Sequence, residues 1–493
     1  MIRHVIKNGF FIIGAVALLF GLSACENTSV KNDTKKPVKA TQGTKIKNNI
    51  TLSKPRGTVH QNIDFSVDEL PPNSTVQLKW TDIKGSYDLN GIYEVIGPTF
   101  TEKEIVIAKG KSDANGKWKG TFQIPEGFGG DQTIYVISGG KRIGQTGFKV
   151  DPTFTMNPAS GPAGTEITVK VEGLGWSTYS RNWQLTYDNK YTGLVTAIAT
   201  KGTAEAKFRA AGPVGKHVIR LRTGYLGSPY INYLQSPFPD KPAPEFTFEV
   251  TDDQKAVENY VEPIPTAAGG GIKLPKPQNQ SGVKVLLAKN EGIVGEADTL
   301  SVTGLPKGKK AEIIWNTMKG SRVSGTGFAG AASKLADVSI DQNGQIKYNF
   351  NVPDDLGGIP HRMDVKIDNK IYAQTYLRIK PSIASISPRS GPVGTNIQIT
   401  IKGGGWTEYD NAYYLTYDNA YAGYLCAFNS QGTLTFDVPA TGEPGFHIID
   451  LYPGIYKQKQ KDTDMTLIPQ LTYSTDHPGS SMPAIRLGFE VTK

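Results

Sequence analysis

The sequence predicts an all-β chain built from four tandem β-sandwich domains in an A-B-A-B repeat. The first observation is composition: the 493 residues include 55 Gly and 31 Pro with 10% aromatic residues, which is typical of turn-rich β structure with packed cores. The second is an internal repeat, and the third is a period-two alternation of apolar and polar residues. A chain of this length is too long for one compact domain.

The strongest repeat joins residues 152–224 to residues 382–454. The two segments align at one fixed offset without a gap, and 28 of the 73 aligned positions are identical. Trp176 corresponds to Trp406, for example, and His217 corresponds to His447. Chance does not produce such agreement, so the segments belong to two copies of one unit, the B domains.

A fainter repeat lies upstream of each B unit and defines the A domains. Trp80 corresponds to Trp315, and Asn115-Gly116 corresponds to Asn343-Gly344 after a slip of a few residues. A segment rich in Pro and Gly separates the two halves. The predicted boundaries are A1 at 49–151, B1 at 152–251, a linker at 252–282, A2 at 283–380 and B2 at 381–493.

Each unit is about 100 residues long, which is the size of an immunoglobulin-like sandwich. Ile167, Val169 and Val171 alternate with polar residues, as expected for a strand with one buried face. Asn115-Gly116 and Asn343-Gly344 lie between strand-like runs and predict type I′ hairpin turns, in which both central residues have positive φ. We therefore expect four tandem immunoglobulin-like β-sandwich domains.

Each B domain opens with a motif rich in Pro and Gly that ends in Trp. Residues 158–165 read PASGPAGT and residues 169–176 read VKVEGLGW, and the counterpart runs from Pro388 to Trp406. This motif resembles the opening of an IPT/TIG domain, with Trp where the family more usually has Phe. The resemblance implies an immunoglobulin-like sandwich of the kind found in bacterial surface proteins, cell-surface receptors and some transcription factors. It implies binding or display and transfers no catalytic residue.

The N-terminus has the layout of a secretory signal peptide over residues 1–24. Arg3, His4 and Lys7 precede an apolar run that is too short to span a bilayer comfortably. Leu-Ser-Ala at 22–24 then precedes Cys25, and this segment resembles the lipobox of bacterial lipoproteins. The resemblance implies cleavage before Cys25, acylation of that residue with chains such as palmitate, and membrane anchoring by two or three acyl chains.

Residues 25–48 form the predicted lipid anchor and a disordered, Lys-rich tether. The whole chain has a net charge of +9, and the tether would be attracted to anionic lipid or wall polymer. We expect a lipid-anchored protein that faces the extracellular side of the cell membrane. The Lys-rich tether favours a Gram-positive envelope, and in a Gram-negative envelope the anchor would lie in the outer membrane. With Cys25 acylated, Cys426 is the only remaining thiol, so no intrachain disulfide is expected.

The most polar repeated motifs supply the candidate ligand-binding residues. Each motif joins Tyr to Asp, so that a ring could stack on a sugar face while the carboxylate accepts hydroxyl hydrogen bonds. The alternative is a hairpin turn, because Asp-Asn with Gly close behind tolerates the backbone angles of a tight turn. The candidates are Tyr187, Asp188, Tyr191, Tyr417, Asp418 and Tyr421.

His217 and His447 recur at equivalent positions, and there are only six His in the chain. Each shares a strand face with aliphatic residues, which favours a hydrogen-bonded imidazole at the core margin. A metal site would need further ligands, and neither repeat has a second His or a Cys pair at zinc spacing. Residues 113–116 and 341–344 echo a calcium loop but lack its later bidentate Glu. We predict no metal and no cofactor.

The sequence contains none of the enzyme motifs HExxH, GxSxG, Walker P-loop or CxxC. The export signal argues against a nucleic-acid partner. We therefore expect a non-catalytic binding role toward wall glycan, an extracellular polymer or a protein partner. The alternatives are a structural spacer that strengthens the envelope, and an enzyme or enzyme accessory acting on wall polymer.

Two Tyr-rich segments break the repeat symmetry, one that continues B1 past Gly224 and one in B2 around the longer insertion after Gly454. Exposed aromatic residues there would favour a ligand patch, whereas burial at a domain junction would favour a spacer. The residues concerned are Tyr225, Tyr230, Tyr233 and Phe238 in B1, and Tyr452, Tyr456 and Tyr473 in B2.

Overall fold

The structure is a computed structural model, and its described part belongs to one compact unit, Lys47–Lys493. Cys25, the predicted signal peptide and the predicted tether lie outside the described residues, as do Phe238 and Trp406. In the part of the chain that is described, no helix is long and apolar enough to cross a membrane. The described residues are 49–493 without 88, 91–93, 96–97, 178–179, 226–227, 236–240, 254–257, 266–273, 322–326, 406–411, 428–429, 458–465 and 478–481.

Among the described residues, the two A domains have equivalent strands apart from two short strands of A1, Leu89–Asn90 and Glu94–Val95. Those of A1 are β1 (Ile50–Leu52), β2 (Arg56–Thr58), β3 (Asn62–Val67), β4 (Thr75–Ser86), β5 (Leu89–Asn90), β6 (Glu94–Val95), β7 (Thr99–Lys111), β8 (Trp118–Gln123), β9 (Gly130–Ser138) and β10 (Lys141–Asp151).

The strands of B1 are β11 (Thr153–Asn157), β12 (Ser160–Pro162), β13 (Glu166–Glu172), β14 (Trp183–Tyr187), β15 (Lys190–Val195), β16 (Ala204–Arg209), β17 (Gly215–Tyr225), β18 (Ser228–Pro229) and β19 (Glu245–Thr251), with a 3-10 helix at Tyr233–Gln235. The linker holds β20 (Tyr260–Val261).

The strands of A2 are β21 (Lys284–Leu287), β22 (Glu291–Gly292), β23 (Ala297–Thr303), β24 (Lys310–Ser321), β25 (Gly327–Ser339), β26 (Ile346–Asn351), β27 (His361–Ile367) and β28 (Lys370–Ile379). Those of B2 are β29 (Ser382–Ser387), β30 (Ser390–Gly391), β31 (Asn396–Lys402), β32 (Ala412–Tyr417), β33 (Ala420–Cys426), β34 (Leu434–Pro439), β35 (Gly445–Lys457), β36 (Thr466–Pro469) and β37 (Ile485–Val491), with one helical turn, α1 (Tyr473–Asp476).

Every domain pairs a three-stranded sheet with a larger one. The small sheets have the orders β1-β3-β8, β11-β13-β16, β21-β23-β26 and β29-β31-β34. The large sheets run β2-β10-β9-β4-β7, β12-β19-β17-β14-β15, β22-β28-β27-β24-β25 and β20-β37-β35-β32-β33. In each domain a short early strand pairs in parallel with the last strand, as β2 does with β10. The predicted all-β fold of tandem immunoglobulin-like domains is confirmed.

Alternation along the strands builds the cores between the sheets. In β13, Ile167, Val169 and Val171 are fully buried while the residues between them face outward. Trp80 and Trp315 lie buried in the cores of A1 and A2, as their matching places in the repeat suggest. Period two places every second side chain on one face, so these apolar sets reach the interior together.

The Asn-Gly turns differ from the prediction. Gly116 has positive φ, at 70°, but Asn115 does not, so the turn is not type I′. Asp113 Oδ1 accepts hydrogen bonds from the N–H groups of Asn115 at 2.9 Å and Lys117 at 2.8 Å, which closes an Asx turn. The loop also joins β7 and β8, which belong to different sheets, and the corresponding loop at Asp341 repeats this geometry.

Each A domain contacts the following B domain through backbone at a glycine. Gly129 forms a parallel bridge with Gly175 and donates to the Leu174 carbonyl at 3.0 Å. Gly357 does the same in the second half, donating to the Gly404 carbonyl at 2.8 Å. The two A–B junctions are therefore built alike.

Described parts of the linker are attached to neighbouring domains. β20 pairs with β37 and extends the large sheet of B2. Further on, Gln278 N–H donates to Gln374 Oε1 at 2.8 Å, and Tyr376 Oη donates to the Pro275 carbonyl at 2.9 Å, both on A2. This segment therefore contributes to the fold as well as connecting the two halves.

Candidate functional site

The repeated Tyr-Asp-Asn motif forms a tight hairpin in each B domain. Asp188 and Asn189 have φ of 48° and 62° between β14 and β15, and Asp418 and Asn419 have 45° and 60° between β32 and β33. Positive φ at both central residues is the mark of a type I′ turn, which matches the twist of the flanking strands. The turn interpretation of the motif thus describes its backbone.

Tyr187 serves the core of B1. Its side chain is 2% exposed, and its hydroxyl donates to the Ala211 carbonyl at 2.8 Å and accepts from the Ala211 N–H at 3.2 Å. Burial raises the pKa of Tyr187. Tyr417 makes the same pair of bonds with Thr441 in B2. Each Tyr therefore ties its hairpin to a more distant loop, which joins β16 to β17 in B1 and β34 to β35 in B2.

Asp188 and Asp418 each hold a histidine. Asp418 Oδ2 lies 2.6 Å from His447 Nδ1, and the Glu443 carbonyl lies 2.8 Å from His447 Nε2. Burial alone lowers the pKa of His447, but the Asp418 carboxylate and that carbonyl outweigh burial, so its pKa is raised. His217 has the same contacts with Asp188 and Pro213. Both nitrogens of each imidazole are engaged, so neither ring has a free nitrogen to act as a general base.

Tyr191 and Tyr421 lie where B1 meets B2. Their rings are perpendicular with centroids 6.2 Å apart, so equivalent residues of the two repeats contact each other. Burial raises the pKa of Tyr191. Nearby, Thr192 Oγ1 donates to the Asn419 carbonyl at 2.7 Å, and Asn419 Nδ2 donates to the Arg209 carbonyl at 2.7 Å. The six candidate residues thus form two turns, two core anchors and part of a junction, and a ligand role for them stays a prediction.

A buried ionic network crosses the same junction. Asp450 of B2 binds Arg209 of B1, and its Oδ2 accepts from Arg486 Nη1 at 3.0 Å. Arg486 Nε donates to Glu262 Oε1 of the linker at 2.6 Å. Arg209, Asp450 and Arg486 are each at most 1% exposed. Two cations and two anions are therefore neutralised inside the protein, as buried charges require.

The B2 insertion continues across B1 as a strap, which we define as residues 470–477. Leu471 exchanges backbone hydrogen bonds with Leu194 and Lys207 of B1. The side chains of Leu471 and Tyr473 belong to the B1 core cluster, together with Tyr452. The aromatic residues of the B2 loop whose side chains the structure describes are therefore buried at a domain junction, as expected for a spacer.

Asp476 at the end of the strap reaches two other domains. Its carboxylate accepts from the N–H groups of Ile198 at 2.9 Å and Ala199 at 2.7 Å in B1, and from Tyr87 Oη of A1 at 3.3 Å. Burial raises the pKa of Asp476 to about 6, although these donors and Thr196 lower it. The strap thus joins A1, B1 and B2 at one carboxylate.

The loop after Gly224 behaves differently and presents apolar side chains to solvent. Leu234 is 96% exposed, Ile231 is 75% exposed and Tyr230 is 38% exposed. Tyr233 anchors the loop, because its hydroxyl accepts from the Thr223 N–H at 3.1 Å and Arg222 lies 5.2 Å from its ring centroid. We call residues 228–235 the apolar loop of B1.

Comparison with known proteins identifies one domain. Residues 381–457 match the family model of the IPT/TIG domain. The match covers most of B2 and confirms the resemblance seen in its opening motif. B1 shares the strand order of this IPT/TIG domain, with β18 pairing β17 as β36 pairs β35, and β20 has no counterpart among the described strands of B1.

Solved structures give weaker similarities. A putative membrane anchored protein from Corynebacterium diphtheriae is 12% identical over 90% of this chain and 91% of that chain, with a TM-score of 0.18. A tetra-tandem repeat from the extending region of a large adhesion protein is 8% identical over 90% and 98%, with a TM-score of 0.17. Salmonella alpha-2-macroglobulin is 11% identical over 89% of this chain, with a TM-score of 0.18. This chain spans only 30% of the length of that protein. TM-scores this low do not indicate a shared overall fold. No curated protein matches the sequence.

Two positions in the sequence depart from the repeat where B1 meets the IPT/TIG domain B2. Arg209 corresponds to Pro439 in the repeat, and Asp450 corresponds to Arg220. Asp450 also interrupts the apolar run of β35. A buried charge needs an opposite charge, so Asp450 inside an apolar strand and the unmatched Arg209 together indicate a buried ion pair.

Proposed function

We propose that this protein is a lipid-anchored bacterial surface protein with a non-catalytic binding role, and that its apolar loop of B1 contacts a protein partner. The observation that carries the proposal is the exposure of Ile231 and Leu234 on an ordered loop. Exposed apolar side chains grouped on a water-soluble surface mark interaction sites, and loops on a rigid sandwich commonly carry them.

Side-chain chemistry favours protein over glycan as the partner. Ile231 and Leu234 are aliphatic and offer neither a flat ring for a sugar face nor a hydroxyl acceptor, whereas aliphatic and Tyr side chains together suit a protein interface. The engaged imidazoles of His217 and His447 support a non-catalytic role.

Site-specific photo-crosslinking tests the contact. A benzophenone residue replaces Leu234 in the full chain on living cells, and a matched benzophenone replaces Leu286, which is 68% exposed on A2. We expect a discrete protein adduct from position 234 that Ile231→Asp abolishes. Equal adducts from both positions, or none from 234, would contradict the proposal. Retention on purified sacculi that Ile231→Asp abolishes would instead assign the loop to glycan.

The lipid anchor is tested separately. The lipobox-like segment before Cys25 supports acylation there, and the Lys-rich tether supports an anionic surface nearby. We expect globomycin to block processing, and we expect Cys25→Ala to release the protein from the membrane fraction. Unchanged membrane retention under both treatments would sink the anchoring part of the proposal.

A second function, that of a stiff spacer, is favoured by the burial of the strap. Leu471 and Tyr473 lie in the B1 core, so the two halves of the chain are fused at B1 and B2. A fused body of this kind would hold the apolar loop at a set distance from the anchor. The two functions are compatible, and the crosslinking experiment decides whether the loop also binds.

A further inference from the structure

The longer of the two outer strands of each large sheet is a potential site for adding another strand. These four strands are β7, β15, β25 and β33, and three of them are protected. β15 and β33 face each other at the B1–B2 junction, where Thr192 contacts Asn419. β7 of A1 carries Glu102, Lys103 and Glu104 in sequence. Charged side chains on an edge strand discourage pairing with another chain, and covering the edge prevents it.

β25 of A2 lacks this protection over Gly330–Ser333, and its charged residues, Lys334 and Asp337, lie beyond that stretch. Met318 pairs with Gly330 in A2 as Ile83 pairs with Glu102 in A1, so the two edge strands can be compared position by position. Gly330, Ala331 and Ala332 stand where A1 has its three charged residues. Within the described residues, β25 pairs only with β24, on its inner side. A backbone edge with small, uncharged side chains is therefore open at Gly330–Ser333.

A cleft of about 400 Å³ lies beside this edge. Leu274, Pro275 and Met318 form its apolar walls, and Tyr376 and Arg362 line it as well. The linker wall is fixed, because Tyr376 Oη donates to the Pro275 carbonyl at 2.9 Å. The cleft is large enough for an apolar side chain, with polar groups at its margin.

We propose that β25 accepts an uncharged, extended peptide segment of a partner protein as a sixth strand of the A2 sheet. Free N–H and C=O groups of β25 supply main-chain hydrogen bonds, and one apolar side chain of the peptide enters the cleft. Side chains alternate along a strand, so every second residue of the peptide faces the cleft side of the sheet. This site lies on A2 and is independent of the apolar loop of B1.

The cleft decides between a partner peptide and a second copy of this chain. If two β25 edges paired about a two-fold axis centred on the open stretch, Gly330, Ala331 and Ala332 would face the same small residues. None of those side chains could fill a cleft of about 400 Å³. A peptide with a Val, Leu or Ile at the matching position places an apolar side chain in the cleft and buries apolar surface there.

The test uses the residues of A1 as the blocking change. The variant Gly330→Glu/Ala331→Lys/Ala332→Glu gives β25 of A2 the three charged residues that protect β7 of A1. Gly330 has room for a side chain, because a Cβ added there comes no closer than 3.9 Å to Met318 Sδ. Ala331→Lys alone is the second variant if the triple change fails to fold. Leu286→Lys adds a charge elsewhere on A2 and is the matched control.

A phage-displayed library of random nine-residue peptides is selected on the full chain in detergent. We expect uncharged peptides rich in β-branched residues that slow hydrogen exchange at the amides of 330–333. We expect the triple variant and Ala331→Lys to weaken binding of a selected peptide at least about tenfold, with Leu286→Lys unchanged.

Two outcomes would overturn the inference. One is a selected peptide that binds the triple variant as well as the natural chain. The other is a dimer by light scattering that the triple variant dissolves, which would assign the edge to a second copy. Neither outcome bears on crosslinking from position 234 or on acylation of Cys25, so this inference and the proposed function fail independently.

Discussion

At the scale of single residues, the junction depends on charges placed where water cannot reach. Asp450 lies between Arg209 and Arg486 with all three side chains buried. A buried ion pair is weak evidence for stability as such, but removing one partner leaves an uncompensated charge inside the protein. Asp450 is shared by two guanidinium groups, so its loss affects both.

We expect Asp450→Ala to destabilise the B1–B2 pair by about 3–5 kcal/mol. The matched control is Arg220→Ala at the equivalent position of B1, where the ion pair with Glu245 is solvent-exposed and contributes at most about 1 kcal/mol. Native-state hydrogen exchange of the β35 amides measures the opening free energy of this region. Equal losses in the two variants would mean that burial of the network is unimportant.

His447 makes the stability of B2 depend on pH. Its folded-state pKa is raised above 6.5, so the folded domain holds a proton that the unfolded chain releases. This contribution is fully present below pH 6.5 and is lost as pH rises through the raised pKa. We expect the melting temperature of B2 to fall over that range, and Asp418→Asn to reduce the fall. An unchanged slope in Asp418→Asn would contradict the assignment.

At the scale of elements, the strap shows what the sequence could and could not predict. The strands followed from alternation, because period two fixes which face is buried, and the domain order followed from the internal repeat. The strap has no counterpart in B1, and Leu471 and Tyr473 would look the same in sequence whether they covered their own core or a neighbour's. The Asn115-Gly116 turn was mispredicted because a dipeptide signal does not reveal that Asp113 caps the loop. Contacts between segments nearly 300 residues apart leave no local pattern.

We expect Asp476→Ala to detach the end of the strap. The change leaves the N–H groups of Ile198 and Ala199 without their carboxylate acceptor, at a cost of about 1–3 kcal/mol for each that stays buried. Both amides should exchange faster with solvent. Thr475→Ala, in the same helical turn but only partly buried, is the control and should leave those rates unchanged. Unchanged rates in Asp476→Ala would show that the carboxylate does not hold the strap.

The same carboxylate gives the strap a pH dependence. The folded-state pKa of Asp476 is about 6 against an ordinary value of 3.8, so the folded protein binds the proton more tightly than the unfolded chain. Its contribution to stability is therefore greatest below 3.8 and is lost as pH rises through about 6. Exchange at Ile198 and Ala199 should accelerate relative to the control amides over that window, and Asp476→Asn should remove this dependence. A dependence that persists in Asp476→Asn would assign it to another group.

At the scale of the whole molecule, the same backbone contact at a glycine joins the A and B domains in both halves of the chain. Gly129 and Gly357 bring two backbones together, and the strap then joins B1 to B2. A Cβ at Gly129 would lie 1.9 Å from the Gly173 carbonyl oxygen, and one at Gly357 would lie 2.0 Å from that of Gly403. Backbone cannot yield as a flexible side chain can, so the domains would have to separate.

We therefore expect Gly129→Ala to uncouple A1 from B1. Overpacking of this kind costs about 1–3 kcal/mol, and the lost contact should split one cooperative calorimetric transition into two. Gly147→Ala in β10 is the matched control, because no atom lies within 4 Å of its added Cβ, and its transition should stay whole. A single transition in Gly129→Ala would mean that A1 and B1 are held by side-chain contacts alone.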